Sequence, residues 1–236
     1  MKRARAESAR ETATSGRFIA GPAGLDPESA VRYDESLLED VQAGKRGAVV
    51  RVWTNDWCVV VGRNNKLDEW IDQDAIDDDG VPIIRRDSGG GAVIHHPGNV
   101  NFSFIAPRAM LGGITPKDAM RVFLAVVIRA LAHLDIEAVH TGISDLSVKG
   151  RKISGNAERF KSNAVLHHGT LLLTSEVERM ARYLRIPPNR PNVSHRNFVA
   201  GLRELGYPVG FERICEAVAR ASAESFGCLI LRSASS

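Results

Sequence analysis

The chain is poor in cysteine and in aromatic residues, and it contains no long apolar run. Its three cysteines, Cys58, Cys215 and Cys228, are an odd number without Cys-x-x-Cys spacing, which suits a reducing cytoplasm and does not indicate a disulfide framework. No segment approaches the ~18 consecutive apolar residues of a membrane-spanning helix, and no secretory apolar segment follows the start. We therefore expect a cytoplasmic protein that is not inserted in a membrane.

Nucleic-acid binding is not indicated either. The net charge is only +3, aromatic residues make up 6% of the chain, and no basic stripe continues into its body. Much of the excess positive charge lies near the start, in Lys2, Arg3, Arg5, Arg10 and Arg17 against Glu7 and Glu11. This composition predicts a disordered basic leader over residues 1–20, with a targeting peptide as the alternative. No Pro/Ser-rich linker divides the remainder, so we expect residues 21–236 to form one domain.

Several common fingerprints of catalytic and nucleotide-binding sites are missing. There is no Gly-x-x-x-x-Gly-Lys-Ser/Thr, and the one glycine cluster lacks the third glycine of Gly-x-Gly-x-x-Gly. Gly-x-Ser-x-Gly, His-Glu-x-x-His and a Cys/His cluster are also missing. The sequence therefore supports neither a P-loop, a dinucleotide-binding Rossmann turn, a serine hydrolase elbow nor a zinc site.

Two glycine-containing segments are the most informative features that are present. Residues 85–93 read Arg-Arg-Asp-Ser-Gly-Gly-Gly-Ala-Val, and residues 150–157 read Gly-Arg-Lys-Ile-Ser-Gly-Asn-Ala. Consecutive glycines let the backbone approach a ligand and present its N–H groups to an anion, and Arg85, Arg86 and Lys152 add positive charge. The segments predict a site for a phosphate-bearing ligand. A turn or bulge for the glycines and a surface position for Lys152 stay open as alternatives.

Two histidine pairs raise the possibility of a metal site. Adjacent side chains of a strand point to opposite faces of the sheet, so neither His95-His96 nor His167-His168 can easily hold one ion. We expect a structural or hydrogen-bonding role for one histidine of each pair. Asp145 is close enough in sequence to position Lys152 or a magnesium ion, and a solvated or turn-capping carboxylate is an equal alternative.

The hydrophobic pattern predicts an α+β fold with a central mixed or antiparallel sheet flanked by helices. The predicted helices are 28–41, 67–76, 116–134, 177–184, 195–205 and 211–226, the last ended by Gly227. The predicted strands are 48–53 and 57–61, joined as a hairpin, then 81–86, then 92–95 and 99–105 around Pro97-Gly98, and then 145–148, 151–155 and 165–173.

Five segments together resemble the lipoate–protein ligase A family, within the superfamily of lipoate and biotin ligases and octanoyltransferases. They are Val61-Gly62-Arg63-Asn64, residues 85–93, residues 98–104, Asp145-Leu146 with residues 150–157, and residues 167–172, in the family's order and spacing. The resemblance covers roughly residues 26 to 226. It implies a biotin/lipoate ligase-like catalytic domain, ending without the small accessory domain that many members carry. A separate accessory subunit is therefore a possible partner.

The resemblance implies a two-step acyl transfer with ATP. The carboxylate of lipoate attacks the α-phosphorus of ATP to form lipoyl-AMP, and the lipoyl group then passes to a lysine of a lipoyl-acceptor domain. Magnesium is expected with ATP. Lys152 is the implied catalytic residue, because an ammonium group that faces both anions offsets their repulsion and stabilises the transition state.

By similarity, the nucleotide-binding residues are Arg86, Gly91, Ala92, Val93, Ile94, Lys152 and Ala157. The lipoate-binding residues implied are Arg85, Ser88, Gly89, Gly90, His95, Lys152 and His168. Asp145 is the candidate magnesium ligand, although Ser144 precedes it where these ligases often carry asparagine.

Three alternatives remain open on the sequence. An octanoyl- or lipoyl-transferase of the same fold would take the acyl group from a carrier protein without ATP, using a cysteine nucleophile, but none of the three cysteines lies in or beside these segments. A non-catalytic lipoate binder would have kept the pocket and lost the chemistry, which the presence of Arg86 and Lys152 does not favour. Biotin ligation is the third alternative, and the Arg-Arg-x-Ser-Gly-Gly-Gly form is closer to the lipoate branch.

Overall fold

The structure is a computed structural model that describes residues 17–21, 25–186, 194–226 and 231–232. Its strands in this part of the chain form a large mixed sheet of eight strands and a small sheet of three. The strands are β1 Arg17–Ala20, β2 Val49–Trp53, β3 Cys58–Val61, β4 Ile83–Arg85, β5 Val93–His95, β6 Asn99–Pro107, β7 Val139–Thr141, β8 Asp145–Val148, β9 Arg151–Phe160, β10 Ala164–Leu172 and β11 Leu231–Arg232.

The large sheet has the order β11-β1-β2-β6-β10-β9-β8-β7, and the small sheet has the order β4-β3-β5. In the large sheet β1 runs parallel to β2 and β11, and the other neighbours are antiparallel. In the small sheet β3 is parallel to β4 and antiparallel to β5. The predicted α+β class with a mixed sheet is confirmed.

Seven helices accompany the sheets in the described residues. They are α1 Pro27–Gln42, α2 Leu67–Trp70, α3 Gln73–Asp78, α4 Pro116–Ala132, α5 Val177–Tyr183, α6 His195–Phe198 and α7 Phe211–Phe226, with a 3₁₀ turn at Arg108–Leu111. The Asp26 carboxylate accepts from two backbone N–H groups at the start of α1, and the Thr115 hydroxyl accepts from the N–H of Asp118 in α4. Among the described residues no helix is both long and apolar enough to cross a membrane.

The two faces of the large sheet are covered differently. Helices α4 and α7 pack on one face, where Phe104 of β6 stacks on Phe123 of α4 at 5.5 Å between ring centroids. On the other face, α1 covers Val49, Ile105 and other buried residues near one end of the strands. The small sheet contributes to a separate apolar cluster with α3 and α5. A cavity remains between this second face and the small sheet.

The predicted hairpin over residues 48–61 is wrong. β2 belongs to the large sheet and β3 to the small one, so the turn at residues 54–56 carries the chain from one sheet to the other. The two strands on either side of Pro97-Gly98, β5 and β6, are also divided between the sheets. Every residue of β2 and β3 is buried, so neither strand shows an alternation that would reveal its partner.

Other boundaries also differ from the predictions. The single helix predicted over 67–76 is two short helices, because Ile71 is extended and bridges Leu184. The helix predicted from His195 to residue 205 ends at Phe198, since Val199 bridges the backbone of Lys152. Residues 17–20, expected in the disordered leader, form β1. Residues 1–16, Gly227 and Cys228 lie outside the described residues.

Candidate active site

The candidate site is a cavity of about 550 Å³ between the large and small sheets. Its floor is the face of the large sheet opposite α4 and α7. Its walls come from the glycine-rich loop between β4 and β5, from α1, and from the segment that carries α6. A volume in this range accommodates a small-molecule ligand.

One row of five residues crosses the floor from strand to strand. Asp145, Gly155, Thr170, Asn101 and Trp53 are successive cross-strand partners on β8, β9, β10, β6 and β2. Cross-strand partners present their side chains to the same face of a sheet, and all five line the cavity. The row therefore gives the cavity one long axis that runs across the strands.

Lys152 lies beside one end of this row because of an irregularity in β9. Asp145 pairs with Gly155 and Ser147 pairs with Lys152, so β9 carries an extra residue between the two pairs. Such a bulge reverses the alternation of the strand, and here it brings Lys152 to the face that carries Asp145 while Ile153 packs in the core. The Lys152 Nζ lies 2.8 Å from Asp145 Oδ1.

Gly155 leaves the space that the Lys152 side chain occupies. A Cβ at residue 155 would lie 3.2 Å from the Lys152 Nζ and 3.3 Å from its Cε, so a larger residue would displace the ammonium group. The Phe198 ring of α6 lies 5.6 Å from the Nζ on the wall of the cavity. Lys152 is thus held between Asp145, Gly155 and Phe198, with about a quarter of its side chain exposed.

Arg86 is buried behind the glycine-rich loop. Its guanidinium donates to the carbonyl oxygens of Val60, Gly89 and Gly91 and to the Ser88 hydroxyl, at 2.6–3.2 Å. No carboxylate of the described part of the chain is paired with it, and burial lowers its pKa to about 10. The loop is thus shaped around a positive charge that also lines the cavity.

At two positions of the loop, the backbone conformation or the close packing requires glycine. Gly90 has φ +86°, a left-handed conformation that disfavours side chains. A Cβ at Gly91 would lie only 2.5 Å from the Trp70 ring, which packs directly against the backbone there. The Asn65 amide donates to the Gly90 carbonyl at 2.8 Å. These contacts fix the path of the loop along the cavity wall.

A second row on the floor supports a buried polar network. Arg51, Ser103, His168 and Ala157 are successive cross-strand partners on β2, β6, β10 and β9. Asp34 of α1 lies over this row, accepts from Arg51 at 2.7 Å and from the Ser103 hydroxyl at 2.5 Å, and lies 3.6 Å from the His168 ring. Burial raises the Asp34 pKa, but Arg51, His168 and Ser103 together outweigh burial and hold that pKa below its usual value.

The histidines of each pair have separate environments, as the alternation of a strand predicts. His168 faces the cavity and is hydrogen-bonded to the Ser88 hydroxyl at 2.5 Å, whereas His167 packs in the aromatic core on the opposite face. His95 faces the cavity beside Trp53, and His96 stacks on Trp57. Burial lowers the pKa of His95 and that of His167 to about 3, so both are neutral. The described residues contain no group of three side chains that could hold a metal ion.

Most of the site residues inferred from the sequence meet at the cavity. Its lining includes Arg86, Gly90, Gly91, Ala92, Val93, Ile94, His95, Asp145, Lys152, Ala157 and His168. Arg85, Ser88 and Gly89 are not among the lining residues. Arg85 donates to the carbonyls of residues 62, 63 and 65, and Ser88 and Gly89 accept from the Arg86 guanidinium, so all three support the loop.

Other residues that line the cavity were not predicted from the sequence, among them Asp34, Trp53, Asn101 and His195. Two of these had a detectable signal. Asp34 interrupts the apolar face of α1, and Asn101 is part of the alternating polar and apolar run of residues 99–104. Trp53 and His195 had none, because an aromatic residue at the end of an apolar strand and a lone histidine are both common.

Comparison with known proteins places the chain in one family. The family model described as the lipoyl protein ligase A/B catalytic domain matches residues 26–223. One solved structure comes from a study of a bipartite lipoate protein ligase of Thermoplasma acidophilum and its E2 lipoyl domain. Its TM-score to this chain is 0.83 at 23% identity, and the match covers 94% of this chain and 88% of that one.

Two further solved structures have the same fold. A lipoate-protein ligase A bound with ATP has a TM-score of 0.80 at 23% identity, with 94% of this chain and 90% of that one covered. A P. falciparum protein in complex with lipoate has a TM-score of 0.72 at 22% identity, with 90% of this chain and 63% of that one covered. At these identities the likeness concerns the fold.

Proposed function

Because the chain belongs to the lipoyl protein ligase A/B catalytic-domain family, we propose that it is an ATP-dependent lipoate–protein ligase. The substrates are lipoate, ATP and a lysine of a lipoyl-acceptor domain. Related structures have been determined with ATP and with lipoate, and the work on the T. acidophilum protein includes its E2 lipoyl domain.

The observation that carries the proposal is the placement of two positive charges on one cavity. Lys152 extends over the floor beside Gly155, and Arg86 lies behind the glycine-rich loop without a carboxylate partner among the described residues. An acyl-adenylate reaction must bring a carboxylate against a phosphate although both are anionic. Two cations that face one low-dielectric space offset that repulsion, and they act most strongly on the charge that develops in the transition state.

In the first step, a carboxylate oxygen of lipoate forms a bond to the α-phosphorus of ATP and the bond to the β-phosphate oxygen breaks. The products are lipoyl-AMP and pyrophosphate. In the second step, the neutral ε-amine of the acceptor lysine attacks the acyl carbonyl, AMP leaves, and the amine loses a proton. Lys152 holds the carboxylate and the α-phosphate together in the first step, and Asp145 positions the Lys152 ammonium.

Magnesium fits this site only together with the nucleotide. Magnesium ions at nucleotide sites are commonly held by one or two carboxylates together with substrate phosphates, and Asp145 is the carboxylate that faces this cavity beside Lys152. When bound, the ion would supply further neutralisation of phosphate charge. Arg86 and the backbone of residues 91–94 bind the nucleotide, and Ala157 lies on the floor near them.

The cysteine environments favour the ligase over the acyltransferase. Cys58 and Cys215 are buried, neither lines the cavity, and burial raises the pKa of each thiol to about 12. A thioester-forming transferase needs an accessible cysteine with a lowered pKa. Cys228 lies outside the described residues. Replacing all three cysteines with serine should leave a ligase active, whereas it would inactivate a cysteine-dependent transferase.

The decisive test is lipoate-dependent exchange of labelled pyrophosphate into ATP. We expect Lys152→Ala to reduce exchange by about 100- to 1,000-fold, as loss of a group that stabilises transition-state charge does. Lys161→Ala is the matched control, because Lys161 also pairs with a carboxylate, that of Glu39, away from the cavity. Undiminished exchange in Lys152→Ala would remove this residue from the mechanism. Lack of exchange in the wild type, with acyl transfer from a carrier protein intact, would identify a transferase.

A further inference from the structure

We propose that His195 is the general base of the second step and accepts the proton that the attacking amine of the acceptor lysine loses. This inference rests on the proposed function, since it concerns acyl transfer at the same site. A ring nitrogen of His195 takes the proton as the bond between the amine nitrogen and the acyl carbon forms. AMP leaves with the electrons of its bond to that carbon, and the imidazolium then releases the proton to water.

The second step has a particular need for a proton acceptor in this cavity. As the amine attacks the acyl carbonyl, its nitrogen becomes positively charged. Lys152 and Arg86 already make the space positive, and like charges repel strongly where little water screens them. A base that removes the proton during the attack therefore lowers the barrier to transfer.

His195 lies on the wall of the cavity beside Lys152. It is the first residue of α6, and Phe198 follows three positions later, so the two side chains lie on one face of this short helix. Both residues line the cavity, and the Phe198 ring lies 5.6 Å from the Lys152 Nζ. His195 therefore borders the space over Lys152, where the proposed reaction takes place.

The end of α6 is attached to the strand segment that carries Lys152. Val199 forms a bridge with Lys152, and the N–H of Ala200 donates to the Lys152 carbonyl at 3.0 Å. The Arg151 guanidinium donates to the Val199 carbonyl at 2.5 Å. The N–H of Val199 donates in turn to the His195 carbonyl at 2.8 Å. These contacts fix the position of α6 relative to Lys152.

The His195 ring is available to accept a proton. It is partly buried, and neither of its nitrogens has a hydrogen-bond partner among the described residues. Burial, and after it the charge of Lys152, lowers the pKa of the ring from its usual value of about 6.5. The neutral form, which accepts protons, therefore predominates at pH 7.

The other groups of the cavity lining that could accept a proton are already engaged. The two carboxylates, Asp34 and Asp145, each pair with a cation at 2.7–2.8 Å. His95 contacts an asparagine amide, and burial lowers its pKa to about 3, which makes it a weak base. His168 is hydrogen-bonded to a serine hydroxyl. Among the described lining residues, His195 is thus the base that best fits the transfer step.

The test measures the two steps separately. Exchange of labelled pyrophosphate into ATP reports the first step. Transfer to an E2 lipoyl domain in a single turnover, from supplied lipoyl-AMP, reports the second. For His195→Gln, which keeps a polar side chain and removes the base, we expect transfer to slow by about 100-fold and exchange to fall far less. In His195→Ala, free imidazole should accelerate transfer by about tenfold or more, because it replaces the missing base.

His133→Gln is the matched control. His133 follows α4 and contacts Glu224 of α7, on the face of the sheet opposite the cavity, so its replacement should affect neither step. His195 itself is partly exposed on a four-residue helix, so its replacement should cost little stability.

Three results for the variants would overturn the inference: unchanged transfer in His195→Gln, an equal loss of both steps, or a loss in His195→Ala that imidazole does not restore. Exchange without transfer in the wild type would also overturn it. A wild type without exchange would contradict the ligase, and transfer from lipoyl-AMP that depends on His195 in the same protein would still support the base. Absence of both steps would contradict both proposals.

Discussion

Two buried arginines near the same cavity differ in how their charge is compensated. Arg51 is fully buried, pairs with Asp34 at 2.7 Å and lies 4.1 Å from the Trp53 ring. Arg86 is 7% exposed and donates only to backbone carbonyls and a hydroxyl within the described residues. The first charge is neutralised by the fold itself, whereas the second is the charge that we propose a bound anion compensates.

The difference separates a structural from a functional use of the same side chain. Breaking a buried ion pair leaves one charge uncompensated, and this costs several kcal/mol. A charge that is already uncompensated costs less to remove, and its removal weakens the binding of an anionic ligand. Stability measurements should therefore respond most to the Arg51 pair, and ligand binding to Arg86.

The largest effect is expected from Asp34→Asn, which leaves the Arg51 guanidinium buried without its anion. We expect the free energy of unfolding to fall by about 3–5 kcal/mol, measured by urea denaturation at neutral pH. Asp40→Asn is the control, because Asp40 forms a partly exposed pair with Arg46 at 3.6 Å and should change stability by about 0.5 kcal/mol or less. Equal changes in the two variants would show that burial of the Arg51–Asp34 pair does not increase its contribution to the free energy of unfolding.

The next effect concerns Arg86→Met, which removes the uncompensated charge and keeps an apolar side chain. We expect pyrophosphate exchange to fall by about 100-fold, and the stabilisation of the protein by ATP in thermal unfolding to disappear. The neighbouring Arg85→Met is the matched control, since Arg85 is exposed and bonds only to carbonyls of residues 62–65. If Arg85→Met lowers exchange as much as Arg86→Met, the effect arises from the loop as a whole.

The smallest effect is a pH dependence that reports the Arg86 charge. Burial, and after it Arg86, lowers the His95 pKa to about 3, below the value of about 6.5 in the unfolded chain. The unfolded state binds the proton first, so stability is lost as the pH falls from about 6.5 to 3, by at most about 1.4 kcal/mol per unit for this residue. In Arg86→Met the His95 pKa should rise and the slope should decrease, as followed by urea denaturation and by NMR titration of the ring.

His167 provides the internal control for this titration. Burial and His168 lower its pKa, and Arg86 is not among the causes, so Arg86→Met should leave the His167 resonance unchanged. Glu158 beside it acts in the opposite sense, because burial raises its pKa to about 7 and its contribution to stability is lost as the pH rises from about 4.5 to 7. A shift of both histidines by the same amount would indicate a change of fold.

The starts of two long helices were predictable from the sequence. The starts predicted at residues 28 and 116 lie within one residue of the observed starts of α1 and α4, where the Asp26 carboxylate and the Thr115 hydroxyl cap the helices. The pairing of the strands could not be predicted from local sequence signals. β2 and β3 are adjacent in sequence and both fully buried, yet they belong to different sheets, because their partners lie 24 to 56 residues away along the chain.

The candidate site, like the fold, was only partly predictable from the sequence. The glycine-rich segment and Lys152 were identified from residue types, because few residues other than glycine, arginine and lysine suit a bound anion. Sequence alone could not distinguish Arg86 from Arg85. The side chains of these two residues, at the end of β4, lie on opposite sides of the chain, one behind the loop and one outside it.

The sequence by itself determined the family, the starts of α1 and α4 and the separation of each histidine pair, since these depend on residue chemistry and on the two-residue period of a strand. Tertiary structure alone decided which charges are compensated and which face Lys152 occupies. The reason is register: a single extra residue in β9 turns Lys152 towards Asp145, and only the pairing of distant strands defines that residue as extra.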